Sequence, residues 1–342
     1  LLKTNTSNNF DLLRLTLAIL VFFAHWNTLT FQNFTYFPFH LSTYAVHMFF
    51  IVSGFLIFWS FDVDQNKKHF YIKRFFRIFP LYAFLIILQT LFFIVFVDGN
   101  VSQILKYFVS NIFFLNFLAP SVGGTFSDLY VNAINGSLWT LKNEVVFYAL
   151  VPPIFMFYKK WGRVFLVMLY TLSAIYMFGV DYISSINLVS RHHADILLFQ
   201  FPAQVRLFLV GILLYTLYKR FNQNNSFFLA IMSFVLIALV GGNSLFDYSV
   251  YPFCIGFIMV YLVYFVKKIN ISFDFSYSFY ILHFPVIQLA LYFNLNPSNP
   301  LVSFLSIFFV ILFLSYFSEK YIEKRFIQIG KNIIQRSKNA TS

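Results

Sequence analysis

Residues 42–60 read STYAVHMFFIVSGFLIFWS. No Asp, Glu, Lys or Arg interrupts the run, and its length matches the roughly 20 residues that a helix needs to cross a bilayer core. It lacks the short alternating pattern of a membrane barrel. The same signature recurs along the chain and predicts ten helices, at 11–30, 42–60, 78–97, 138–158, 164–180, 201–218, 226–240, 250–266, 277–293 and 301–320. Composition agrees: of 342 residues, 60% are apolar and 11% charged, against about 45–50% and about 25% in ordinary soluble proteins. A water-soluble globule cannot hide that much apolar surface and still clothe itself in polar groups. Soluble enzymes, nucleic-acid readers and disordered chains are thereby excluded. The expected fold class is all-α: a polytopic membrane protein of about ten transmembrane helices, forming one domain over 1–342 with no appended soluble domain.

The net charge of +12 lies in short clusters between apolar runs. Lys3 precedes the first run, and Lys67, Lys68, Lys73, Arg74 and Arg77 follow the second. Lys159, Lys160 and Arg163 follow the fourth, Lys219 and Arg220 the sixth, and Lys267 and Lys268 the eighth. The tail adds Lys320, Lys324, Arg325, Lys331, Arg336 and Lys338. The odd-numbered connections hold only Lys106 and Arg191, beside Asp98, Asp128, Asp181, Asp195 and Asp247. The positive-inside rule then places both termini in the cytoplasm and requires an even number of spans. Basic residues so arranged indicate bilayer orientation rather than a nucleic-acid partner. The first run is not expected to be a cleaved signal, because no small-x-small site follows it. Residues 104–118 (ILKYFVSNIFFLNFL) fall short of a span and are expected in the interface or part-way into the membrane. The single cysteine, Cys254, excludes an internal disulfide framework.

Ionisable groups within spans are costly and point to function. Here they include Arg14, His25, His47, Lys142, Glu144, Arg206 and His283. Arg14 and His25 are eleven residues apart, which is three helical turns plus roughly 20°, so both occupy one face about 16 Å apart along the axis. One ligand with an anionic head and a reactive end at that distance can touch both, and a coenzyme A thioester has that form. Arg suits phosphate and His suits proton transfer. The alternative is that Arg14 snorkels to headgroups and His25 bonds a neighbouring helix. Lys73, Arg74 and Arg77 form one cationic helix face, suited to a nucleotide phosphate or to anionic lipid. Glu144, with Phe147 and Tyr148, is expected to turn inward, to orient an imidazole or to form a salt bridge, for example to Arg206. His47, close to Ser53-Gly54, and His283, just before Pro285, fit either hydrogen-bonded core histidines or pocket residues. His192-His193 has no further spaced ligand, so no metal is expected.

These segments together resemble acyltransferase family 3, integral-membrane enzymes that O-acylate bacterial surface glycans. The resemblance is carried by Phe10-Asp11-Leu12-Leu13-Arg14 with His25, by Phe49-Phe50-Ile51-Val52-Ser53-Gly54-Phe55-Leu56-Ile57, and by Tyr71-Ile72-Lys73-Arg74-Phe75-Phe76-Arg77-Ile78-Phe79-Pro80. It continues through Ser137-Leu138-Trp139-Thr140-Leu141 with Glu144 and Phe147-Tyr148, and Ser276-Tyr277-Ser278-Phe279-Tyr280-Ile281-Leu282-His283-Phe284-Pro285. It implies cytoplasmic acyl-CoA, acetyl-CoA first, as co-substrate with no permanently bound cofactor. The implied acceptor is a sugar hydroxyl of an exported glycan or lipid-linked sugar, and the implied location is the bacterial inner membrane. It implies that Arg14 and His25 are required, that Arg74 and Arg77 act with Lys73 on the acyl-CoA, and that Glu144 is catalytic. His47 departs from relatives, which bears on acceptor choice; Ser53, Trp139, Arg206 and His283 join it as expected acceptor or pocket residues. Some members append an extracytoplasmic hydrolase-like domain. Without one, the membrane unit must finish the transfer or hand the acyl group to a separate protein.

On this reading His25 takes the acceptor's proton or forms a transient acyl-imidazole, and Glu144 fixes its tautomer. The competing class is a transporter of glycans or lipid-linked sugars, which needs no thioester and gives no reason for Arg14 and His25 to share a face. A purely structural partner fits least with so many buried charges.

Overall fold

The computed structural model describes residues 8–30, 40–97, 99–271, 274–295 and 299–339. Lys3 and Asp98, used above for orientation, lie outside the described residues. Among the described residues all regular structure is helical. In chain order the helices are α1 (Phe10–Thr30), α2 (His40–Val63), α3 (Lys67–Phe96), α4 (Val101–Ile112), α5 (Leu138–Trp161), α6 (Arg163–Ser185) and α7 (Arg191–Leu198). There follow α8 (Phe201–Leu217), α9 (Gln223–Val240), α10 (Ser244–Ser249), α11 (Tyr251–Tyr264), α12 (Ser276–Tyr292), α13 (Pro300–Ser318) and α14 (Lys324–Asn339).

Each of the ten expected ranges is a helix. Seven stretches are long and apolar enough to cross a membrane: α1, α2, α3, α6, α7 running into α8, α9, and α13 running into α14. The remaining three ranges are helical with a weaker spanning signal. Helix α5 carries Lys142, Glu144, Lys159 and Lys160, while α11 and α12 have 14 and 17 residues, at or below the usual length of a span. The range 226–240 grows at its start to an 18-residue helix, because the Asn222 side chain accepts from the Asn225 N–H and caps it three residues earlier. Residues 104–118 form no span: α4 has 12 residues, and a 3₁₀ turn (Asn116–Leu118) follows it.

The chain divides into two compact units. The first comprises Leu1–Arg14, Tyr44–Lys67 and Asn143–Ile271. At its centre is α8, buried on all sides from Ala203 to Leu214 except at Val205, as expected of a helix that is apolar all round. Its approach to α2 is backbone on backbone. A Cβ on Gly54 would lie 2.1 Å from the Phe208 carbonyl oxygen, and one on Gly211 would lie 2.1 Å from that of Ile51. Small residues at a crossing permit this closeness, which strengthens packing where lipid supplies no hydrophobic drive.

The second unit comprises Leu15–Thr43, Lys68–Lys142 and Ser272–Ser342. Helix α12 is its buried centre and packs on α13. A π-helical turn (Glu319–Glu323) joins α13 to α14 and leaves Glu319 and Glu323 buried. The basic tail is thus an ordered helix, with Gly330 against the Phe76 ring and the exposed apolar stripe Phe326, Ile329 and Ile333 beside its cations.

Candidate active site

The site in the second unit starts from a proline. Pro285 has no N–H, so the carbonyl of Ile281 loses its partner in the α12 ladder. Asn135 Nδ2 donates to that carbonyl at 2.9 Å, and Asn135 Oδ1 accepts from the Ser137 N–H at 3.1 Å, turning the chain into α5. Thr140 Oγ1 lies 2.9 Å from the Tyr280 hydroxyl. Gln288 Nε2 donates to the carbonyls of Val131 and Ala133 at 2.7 and 2.8 Å. Residues 131–140 are therefore laced to α12 by side chains from both partners.

Within this frame His283, fully buried, meets His25: His25 Nδ1 and His283 Nε2 are 2.7 Å apart, and the rings lie 14° from parallel. The hydrogen bonds determine the tautomers. His283 Nδ1 contacts the Phe279 carbonyl at 3.3 Å, and a carbonyl only accepts, so Nδ1 carries the proton. In neutral His283, Nε2 is then the acceptor, and His25 must donate to it from Nδ1. The lone pair of His25 is left on Nε2. Ser137 Oγ, 3.4 Å from His283 Nε2, donates weakly to the same acceptor. Phe22, Phe279 and Phe284 surround the pair, with the Phe284 ring edge-on to His25 at 5.1 Å. An imidazole with one proton held and one lone pair presented, among apolar rings, is equipped as a base or a nucleophile.

The cationic face on α3 is present, but its members differ. Arg77 is held by two carboxylates, Asp274 at 2.9 Å and Glu323 at 3.4 Å. Arg74 lies over the Phe70 ring at 5.7 Å. Lys73 and Arg74 are half-buried. Neither Asp274 nor Glu323 stood out in the sequence; the one available signal was an acid, Glu323, within a basic tail.

The remaining expected residues lie in the first unit, apart from Trp139, which lines a small cavity in the second. Arg14 is half-buried on α1. Glu144 accepts from Ser53 Oγ at 3.1 Å and from the Tyr148 hydroxyl at 2.6 Å. The Glu144–Arg206 salt bridge, one of the alternatives above, does not form. Arg206 donates instead to Met177 Sδ at 2.8 Å and to the Asp247 carbonyl at 3.3 Å. Burial raises the pKa of the Asp247 carboxyl, opposed by the Gly242 N–H and by Arg206. His47 Nδ1 is hydrogen-bonded to the Tyr251 hydroxyl at 2.9 Å. The structure thus joins His25 to His283 and Ser53 to Glu144. Asn135 and Phe284, which build the site, were missed; Asn-x-Ser before a helix was the usable signal for Asn135.

Comparison with known proteins shows the family of the chain. The acyltransferase domain family matches residues 7–319. An O-acetyl transferase of Shigella phage Sf6 is 30% identical over 343 residues, covering 94% of this chain and 96% of that protein. Nodulation protein 10 of Rhizobium leguminosarum bv. viciae is 34% identical over 171 residues, a match that spans 46% of each protein. No solved structure matches.

Proposed function

This chain belongs to acyltransferase family 3, and from that premise we propose that it moves an acyl group, acetyl first, from cytoplasmic acyl-CoA to a sugar hydroxyl of an exported glycan or lipid-linked sugar. The observation that carries the reading is the His25–His283 pair with its lone pair on His25 Nε2. The printed name of the phage relative supports acetyl as the group and oxygen as the acceptor atom. The alternation of basic clusters supports ten crossings with both termini in the cytoplasm, in a bacterial inner membrane.

His25 Nε2 takes the proton of the acceptor hydroxyl as its oxygen attacks the thioester carbonyl. His25 Nδ1–H stays hydrogen-bonded to His283 Nε2, and this neutral imidazole fixes the tautomer and orientation of His25, the part that a carboxylate's hydrogen bond plays in a hydrolase triad. The tetrahedral intermediate collapses with loss of the C–S bond, and the coenzyme A thiolate takes the proton back from Nε2. The surrounding phenylalanines exclude the water that would hydrolyse the thioester. Lys73 and Arg74 serve the phosphates of the nucleotide. Arg77, committed to Asp274 and Glu323, holds the α3 face in place for them. In the covalent variant Nε2 itself carries the acyl group; an acyl adduct on His25 found by mass spectrometry of acid-quenched protein would establish that variant.

The test uses the protein in membrane vesicles with radiolabelled acetyl-CoA, following free thiol release and label in the glycan or lipid fraction. Wild-type protein transfers label and His25→Ala does not, with equal membrane insertion. Full transfer by the variant overturns the proposal.

A further inference from the structure

We infer that the cavity between α4 and the start of α5 is a subsite for one neutral sugar ring of the acceptor; the inference rests on the acyl-transfer reading above. The cavity measures about 160 Å³ and is lined by Asn111, Asn116, Phe117, Asn135, Gly136 and Trp139 among others, with no charged side chain in its wall. That is well beyond the ~10–15 Å³ of probe-occupied volume that one water needs. Aromatic faces with a few placed amides suit a ligand that has an apolar C–H face and a rim of hydroxyls.

The amides have hydrogen-bonding capacity to spare. Asn111 is 2% exposed and spends both amide hydrogens, on the Tyr107 carbonyl at 2.9 Å and the Ala119 carbonyl at 2.8 Å. Its Oδ1 accepts no hydrogen bond among the described residues and is left for a donor that enters the cavity. A sugar hydroxyl is such a donor. The Asn116 amide likewise makes no hydrogen bond among the described residues. Lys142 Nζ lies 4.8 Å from the centroid of the Phe117 ring and stiffens that wall.

The same wall builds the imidazole pair. Asn135 grips the carbonyl of Ile281, and Ser137 touches His283 Nε2. A Cβ on Gly136 would lie 2.7 Å from Phe284 Cζ, and the Phe284 ring packs on His25. A sugar held by Asn111, Asn116 and Trp139 is therefore one side-chain layer from His25. Chemistry on such a ring needs that proximity.

The test uses the full chain in lipid nanodiscs and a panel of methyl hexopyranosides. Saturation-transfer NMR without acetyl-CoA measures binding, and thiol release with acetyl-CoA measures transfer. At least one glycoside binds wild-type protein, and both Trp139→Ala and the half-exposed Asn116→Ala weaken it five- to tenfold and raise the acceptor KM. Absence of glycoside binding to wild-type protein overturns the subsite, as do two folded variants that bind as wild type does. If glycosides bind in an Asn116-dependent way but no thiol is released, the subsite stands and the transfer reading falls.

Discussion

Both units set a histidine beside another polar group, and they use it differently. In the first unit the groups pair locally: His47 Nδ1 with the Tyr251 hydroxyl, Glu144 with Ser53 and Tyr148, and Arg206 with Met177 and a carbonyl. In the second, the chain from the Phe279 carbonyl through His283 to His25 ends on a nitrogen with no proton. The first arrangement satisfies buried groups and so holds helices together. The second is satisfied at every member except the last, and that last member can act on a substrate. Burial of an ionisable side chain in a membrane is thus a weak guide to catalysis until its hydrogen bonds are traced to their end.

Five substitutions bear on this contrast. His25→Ala removes the base, and turnover falls by about 10³-fold, within the usual span for general acid–base groups. Label transfer in vesicles measures it, and a loss below tenfold would move the chemistry elsewhere. His283→Ala leaves Nε2 of His25 in place but frees its tautomer; kcat falls on the order of 10²-fold with the KM for acetyl-CoA little changed. His283→Gln, whose side-chain oxygen can accept from Nδ1–H, restores part of the rate, an outcome that a merely structural role would not give. Gly54→Ala forces a methyl group against the Phe208 carbonyl and costs about 2–3 kcal/mol, read from thermal unfolding in detergent. An unchanged midpoint would mean that α2 and α8 do not meet there. His47→Gln loses one neutral hydrogen bond, about 1 kcal/mol, and slows transfer far less than His283→Ala does. If the two histidine variants were equally slow, the contrast between the units would fail.

The helices were legible because their signal is local. Apolar runs of span length and an Asn cap are read residue by residue, and each expected range became a helix, including 226–240, where Asn222 adds a turn. The paired small-residue crossing was visible at Ser53-Gly54 but not its partner Gly211, since nothing in either segment names the other. The site was legible in part. His25 stood out through its spacing from Arg14, and His283 through Pro285, yet they were read as separate features. The pairing of Arg77 was not legible because its carboxylates, Asp274 and Glu323, lie far along the chain.

The amino-acid sequence alone determined that this protein is a bundle of apolar helices carrying a small set of buried ionisable groups, because hydrophobicity and helical period act over a few turns of chain. Only the tertiary structure decided which of those groups meet. His25 and His283 are 258 positions apart, and their contact depends on how α12, unsatisfied at Ile281 because of its proline, was drawn onto residues 131–140 and against α1. That choice is made by packing and by completing hydrogen bonds in a medium that offers few other partners.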